Sequence, residues 1–589
     1  MKISNIFSQF YENFSTNELI EYVMTLAKFH RIQGSKDLEN SAKYIYNILK
    51  HTQSFNVKTY EFSYKDSYGL HDPVIGWNLE SCEVEILKPI HMTIASSIHS
   101  KNCAVAHSPP GSVEGEVIYV GSGVEIESLK SDELRNKIVL SHGNPYIVYK
   151  TLVKTGAIGF MFYKTNVDDN AIPYLSLFLT PSEADEYAAP AVSIPRKVAN
   201  RILRFIERGD KVVVRIDVKA NYSLNANIVT VEASLDDRDS NDEVHLFAHY
   251  CHPSYEINDN VSGSATLLEL VLTIDRLVSK GFLKPSSKKK LVFVWFPEYY
   301  GSLPYLMNKV IDKATNIVFG INLDMIGEKQ DITKSTLNLV LPPSFISNPL
   351  YEALLIKILI NALSTNNPSF NGVANITKYR FDILPYEGGS DHDIYLQFSI
   401  PSVMLNQWPD IFYHTNLDDI HKFDPEMAKL VGVSIGVFSY IVLTENALHI
   451  NPQLLVNEYR SFRHGYKTLK LCDMEYEAST TIYAEKYRYK GPKGVLSLRY
   501  IVRRMPQHRL KELLNIVEKE FNSFLLTRYI PLLLMNNALS LEEIRRGIWN
   551  EYCINVNTDT LRKLIHYLTE LNLIEVISSE NLPPPSHKG

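Results

Sequence analysis

VHLFAHYCHPSYEINDNVSGSATLLELVLTIDRLVS (Val244–Ser279) reads as strand, turn and helix in succession. Its first seven residues are nearly all apolar or aromatic, the pattern of a strand covered on both faces. From about 262 to 279 the apolar residues recur at helical spacing, and Ser262 and Gly263 open that helix. The end of the strand and the turn after it hold two histidines, a cysteine and an aspartate, where ordinary core sequence places few such groups. The same alternation continues downstream. KLVFVWF (290–296) precedes a helix from about 302 to 314, and NIVFGINLDMIG (316–327) follows. Buried strands alternating with amphipathic helices predict an α/β fold, a mostly parallel sheet flanked by helices.

Outward from this core the texture changes. A chain of 589 residues exceeds a single core and predicts about two to four domains. Two helices are expected between about 16 and 50. Short strands (GEVIYVG, NKIVLSHG, GAIGFMFY, APAVSIP, KVVVRIDV) and one helix near 146–155 mark a β-rich inserted domain. The expected division is 1–79 and 222–448 for the two parts of the α/β unit, 80–221 for the insert, and 449–589 for a C-terminal unit. In that last unit Ser540 with Glu543 forms a capping box, Asn557 or Thr558 caps a second helix, and LIEVI reads as a strand. Together they give a winged-helix pattern.

Composition narrows the partners. A formal charge of −6 offers no basic surface for phosphates, and basic and acidic residues nearly balance over 501–589. Nucleic acid is therefore not the expected ligand, and the C-terminal unit reads as a packing or homo-oligomerisation module. The longest apolar run, Leu430 to Leu443, is too short to span a bilayer and predicts a buried helix, with no membrane association. The opening MKISNIFSQFYENF shows no signal-peptide pattern. Five cysteines without a CxxC predict free thiols in a reducing cytoplasm.

In α/β sheets ligands bind beyond the carboxyl ends of the strands. His249 and His252 follow the first strand, Glu298 the second, and Asp324 ends the third. EGGSDHD (387–393) precedes the apolar IPSVML, and FYHTNLDDIHKFD (412–424) follows it. His, Asp and Glu from several strand ends form a donor set suited to Zn²⁺.

Six pieces in order then resemble the zinc-dependent aminopeptidases of the bacterial leucyl aminopeptidase type: FHRIQGS (29–35), NDNVSG (258–263), FVWFPE (293–298), INLDMIG (321–327), GGSDHD (388–393) and YHTNLDD (413–419). CHPS, NDN-x-SG and PE-x-x-GS look like a subgroup of that family. The resemblance implies that Asp259 bridges two metal positions, that Asp324 and a histidine just upstream of Asp259 complete one, and that His414 serves the other. Glu298 would be the general base. The histidine is His249 or His252, with CHPS favouring His252. Tyr299 stands where the family carries a carboxylate, which predicts one tight zinc and one weak position, unless Asp391 or His392 replaces the missing ligand. The insert resembles a protease-associated domain, expected to wall the cleft. The implied activity is removal of an N-terminal residue from a peptide or aminoacyl amide. Two alternatives stay open: a transcriptional regulator sensing a ligand with a hydrolase-like domain, and a single-metal relative cyclising N-terminal glutamine.

Overall fold

The computed structural model describes residues 3–123, 131–235, 242–285, 289–364, 367–444, 451–470, 476 and 485–577. An eight-stranded sheet forms the centre. Asp242–His249 lies between Lys290–Phe296 and Asn316–Leu323, with Ser402–Trp408 next, and these four strands are parallel. Their continuous apolar runs lie between helix layers, as the sequence predicts. Outside them the sheet departs from the expected mostly parallel order: Asn227–Leu235 and Phe55–Ser63 on one flank, and Thr336–Val340 on the other, join antiparallel. Three helices open the chain rather than two, because Ile3–Asn13 precedes Thr16–Leu26 and Lys36–Leu49.

The helix Pro425–Thr444 contains the apolar run and is long and apolar enough to cross a membrane, but most of it is buried inside the protein. Gly432 and Gly436 allow this packing. A Cβ at Gly436 would meet the Phe10 ring at 2.3 Å, and one at Gly432 would meet Phe14 at 2.7 Å.

Gly76–Lys88 and Val213–Ser223 pair along their whole length and lead into a second, seven-stranded sheet. Its last four strands, Gly111–Tyr119, Lys137–Ser141, Gly159–Phe162 and Ala191–Ser193, are parallel. This unit enters between Ser63 and Asn227, which face one another across two neighbouring strands of the main sheet. An insertion whose ends already meet perturbs its host little.

The cysteine expectation is overturned. Cys82 and Cys103 are disulfide-bonded within the insert, Cys553 is also disulfide-bonded, and Cys251 is free and buried; Cys472 lies outside the described residues. Separation along the chain hides proximity created by strands, and the cysteine spacing therefore no longer supports a reducing compartment.

In the C-terminal unit, Leu541–Tyr552 begins with the Ser540–Glu543 capping box, Asn557 caps Thr558–Glu570, and Ile574–Ile577 pairs with Lys486–Tyr489. The Pro-rich end falls outside the described residues. Arg503 joins this unit to the other two, donating to Glu183 of the insert at 2.8 Å and to Asp72 at 2.9 Å. Burial alone would raise the Glu183 pKa, but hydrogen bonds from Arg503, Tyr146 and Thr180 outweigh it and hold the carboxyl at about 2. A free glutamate titrates near ~4.3. The stabilisation is therefore full above that pH and is lost as pH falls toward about 2. Glu183→Gln is expected to cost ~1–3 kcal/mol at neutral pH and to flatten the loss of stability in acid. Urea unfolding followed between pH 7 and pH 3 measures both.

Candidate metal centre

The turn after Asp242–His249 is held from below by Arg31 of the N-terminal FHRIQGS piece. Its buried guanidinium donates to the carbonyls of Tyr250, Leu26 and Phe29 at 2.7–2.9 Å and to that of Glu256 at 3.4 Å. Burial lowers its pKa to about 10, which leaves it charged at neutral pH. The Arg31 carbonyl accepts the His252 N–H at 2.9 Å, fixing a residue whose φ of 101° is unusual for a side chain with a Cβ.

The NDN segment is fixed from the end of the strand Asn316–Leu323 and from the loop that carries His414. The Asp418 carboxylate accepts the N–H groups of Asn258 and Asp259. The Asn260 side chain donates to the Leu323 carbonyl at 2.9 Å and accepts the Met325 N–H at 3.1 Å. Gly263 follows because nothing larger fits: a Cβ there would lie 2.2 Å from the Leu323 carbonyl oxygen. Gly263→Ala is expected to destabilise the fold by ~1–3 kcal/mol and to weaken metal binding by shifting Asp259. Chemical unfolding and metal titration read the two effects.

These restraints aim side chains at one another. His249, Asp259 and Asp324 form one group of three potential metal donors, and His252, Asp259 and His414 form another; the donor atoms in each lie within 4.8 Å. Asp259 belongs to both. His249 Nε2 is 3.2 Å from Asp324 Oδ1 and 3.5 Å from Asp259 Oδ1. His252 Nδ1 is 3.5 Å from Asp259 Oδ1, and His414 Nε2 is 2.9 Å from Asp259 Oδ2.

All five residues named from the sequence lie in this cluster, but the grouping differs. Asp324 falls with His249, whereas His252 falls with His414, so each of the two histidines has a donor group of its own. A third group joins Glu298 to His249, His252 and Cys251. Tyr299 turns away: its hydroxyl donates to Asp393 at 3.0 Å and its N–H to Asp391 at 2.7 Å. Among the described residues, Asp391 and His392 belong to none of the three groups.

The electrostatics fit cations. Asp259 Oδ1 and His414 Nε2 are sealed from solvent and accept or donate no hydrogen bond, the close approach of His414 Nε2 to Asp259 Oδ2 being misaligned for one. Burial holds His252 and His414 well below the usual imidazole range, leaving neutral rings whose nitrogens can bind a metal. Burial, with Asp391, Asp324 and Asp259 nearby, pushes Glu298 well above the carboxylate range against the pull of His249. Divalent cations among these carboxylates would relieve that repulsion. Burial likewise raises the Cys251 thiol, as expected of an inert buried cysteine.

Residues 229–437 match the sequence model for Peptidase family M28. This M28-like segment carries every residue of the three groups and Asp418. Comparison with curated protein sequences gives no match. Among solved structures, an aminopeptidase from Aneurinibacillus sp. strain AM-1 superposes with a TM-score of 0.50 and 20% identity, covering 74% of this chain and 96% of its own. A zinc aminopeptidase from Bacillus subtilis gives 0.52 and 18%, covering 74% and 97%. The peptidase M28 precursor from Shewanella amazonensis gives 0.54 and 14%, covering 76% and 97%. At these identities the likeness is one of fold.

Part of the site lies outside the M28-like segment and was not read from the sequence. Tyr174 of the insert makes T-shaped ring contacts with His252 and His414, with centroids 5.4 and 5.2 Å away, and its N–H donates to the His414 carbonyl at 2.7 Å. No donor cluster or motif marks the Ile172–Ser176 stretch; only the apposed strand ends reveal it.

Proposed function

We propose that the chain is a metal-dependent aminopeptidase, with Zn²⁺ as its cofactor and peptides or aminoacyl amides as substrates. The observation that carries this reading is Asp259, one carboxylate shared by two three-donor groups built only from His and Asp. His249, Asp259 and Asp324 would hold one ion, and His252, Asp259 and His414 the other. This replaces the expectation of one tight and one weak position, since the sets are equal in size and neither needs Tyr299.

Bound zinc would bring a water's pKa toward ~7 and polarise the scissile carbonyl. The chain's own part begins at Glu298, at the edge of both groups. Its carboxylate takes the water's proton and returns it to the leaving amine, a role suited to a group whose surroundings raise its proton affinity. Arg31, Asp418 and Asn260 hold the donors in place before substrate arrives. Tyr174 covers the outer face of two histidines and limits the cleft, the role proposed for the insert as a protease-associated-like wall.

We read the C-terminal unit as a winged helix used for packing. On its second helix Arg562 lies beside Asp559 and His566 beside Glu570, while Arg509 also reaches Glu570. These pairings leave little free positive charge for phosphates and weigh against the DNA-binding regulator.

The test is zinc analysis of the dialysed full-length protein beside a panel of aminoacyl amides, N-acetylated controls and glutaminyl peptides. Expected are about two zinc ions per chain and hydrolysis of free-amine substrates that a chelator stops. Two bound ions with no cleavage of any free-amine substrate would defeat the aminopeptidase reading. Ammonia release from glutaminyl peptides without loss of a residue would point to the cyclase.

A further inference from the structure

The three units meet beside the metal centre. Tyr300, two residues after Glu298, stacks on Phe178 of the insert at 6.1 Å between ring centroids, with the rings nearly parallel. Arg499 of the C-terminal unit lies over the other contact of that stack, its guanidinium carbon 4.0 Å from the Phe178 ring centroid, and hydrogen-bonds to Tyr300. Tyr174 connects this stack to the donors, since its phenol lies in charge range of Glu298 and Asp259 and also of Arg499.

Four arginines of the C-terminal unit reach this side of the core. Arg503 is neutralised by Asp72 and Glu183, Arg504 by Asp72, and Arg528 by Asp393. Among the described residues no carboxylate pairs with Arg499. Burial and repulsion from Arg503 act against its charge, and phenol groups are the main compensation. Arg499 nevertheless stays partly accessible. A desolvated guanidinium that lies over an aromatic ring and has no carboxylate partner among the described residues is a receptor for a planar anion that can take two hydrogen bonds.

We propose that Arg499 is a specificity-determining residue that binds a carboxylate of the substrate. The matching chemistry is a peptide with its free C-terminal carboxylate or an acidic side chain close to the scissile bond. The inference rests on the peptidase reading of the metal centre and deepens it. It also gives the C-terminal unit a part in the centre: it brings a guanidinium to the stack of Tyr300 and Phe178.

The experiment compares leucylglycine with leucylglycine amide, and glutamyl amide with glutaminyl amide, in the wild-type protein and Arg499→Met. The wild-type protein is expected to favour one acid over its neutral partner in kcat/KM by about ten- to a hundredfold, the usual worth of a charge-assisted hydrogen-bonded pair. The first pair reports the C-terminal carboxylate and the second the side chain. In Arg499→Met that ratio should fall to near one, and Arg499→Lys should recover part of it. No acid preference in the wild type, or equal losses on acid and amide in Arg499→Met, would overturn the proposal in favour of a structural role.

Calorimetry with the full-length Glu298→Gln variant separates this from failure of the peptidase reading. Tighter binding of leucylglycine than of its amide, removed by adding Arg499→Met, supports the carboxylate site even if no peptide is cleaved. Glutamyl amide against glutaminyl amide reads the side chain in the same way, and equal binding of acid and neutral partner in both pairs overturns the proposal even if cleavage occurs.

Discussion

Asp259→Ala is expected to strip both metal ions at once and reduce hydrolysis to background. Asp259 is the one donor common to the two groups, and each group offers only two other protein donors. Catalytic zinc sites use about three protein ligands, and losing one of them from both sites leaves neither with a full set. His249→Ala and His252→Ala should each release a single ion, because those histidines belong to different groups with Asp259. Metal analysis of the three variants, with far-ultraviolet circular dichroism to confirm folding, gives the comparison. Two ions retained in Asp259→Ala would remove the bridging role; both ions lost in His252→Ala would mean that the positions are not separable.

Glu298→Gln should have the second largest effect and the opposite metal signature. The amide keeps the size of the side chain and the backbone links, in which the Glu298 N–H donates to Cys251 Sγ at 3.3 Å and its carbonyl accepts from Gln33 at 3.2 Å. It loses only the capacity to take a proton. The rate should drop by roughly 10² to 10⁴ while both ions stay bound, the usual range for losing general acid–base catalysis. Near-normal turnover would take Glu298 out of the mechanism, and loss of metal would recast it as a ligand.

Much of the main sheet was legible because its strands are buried on both faces and so carry long apolar runs: KLVFVWF is the strand Lys290–Phe296 to the residue. The donor residues were legible because polar groups at the ends of such strands stand out. Their grouping was not. Whether Asp324 meets His249 or His252 depends on a turn in which His252 takes a positive φ and hangs from the Arg31 carbonyl, a contact 221 residues distant that no local pattern encodes. The antiparallel flanks were missed for a related reason: the run Asn227–Leu235 looks the same whichever way its neighbours point. Tyr174 and Arg499 escaped notice because each is an ordinary residue in its own segment and gains a role only where three units touch.

The threading of the turn has a consequence for the order in which the protein is made. Arg31 leaves the ribosome early, yet its guanidinium binds carbonyls 219 and 225 positions later, and Asp418 fixes the NDN backbone another 160 positions further on. The insert, bounded by paired strands, can fold during that interval as a separate unit. A nascent chain that has not yet released His414 and Asp418 holds one complete donor group, His249, Asp259 and Asp324, and only His252 and Asp259 of the other, without the clamp that aims Asp259. The timing of synthesis itself therefore delays a complete centre until the helix Pro425–Thr444 is about to close over the sheet.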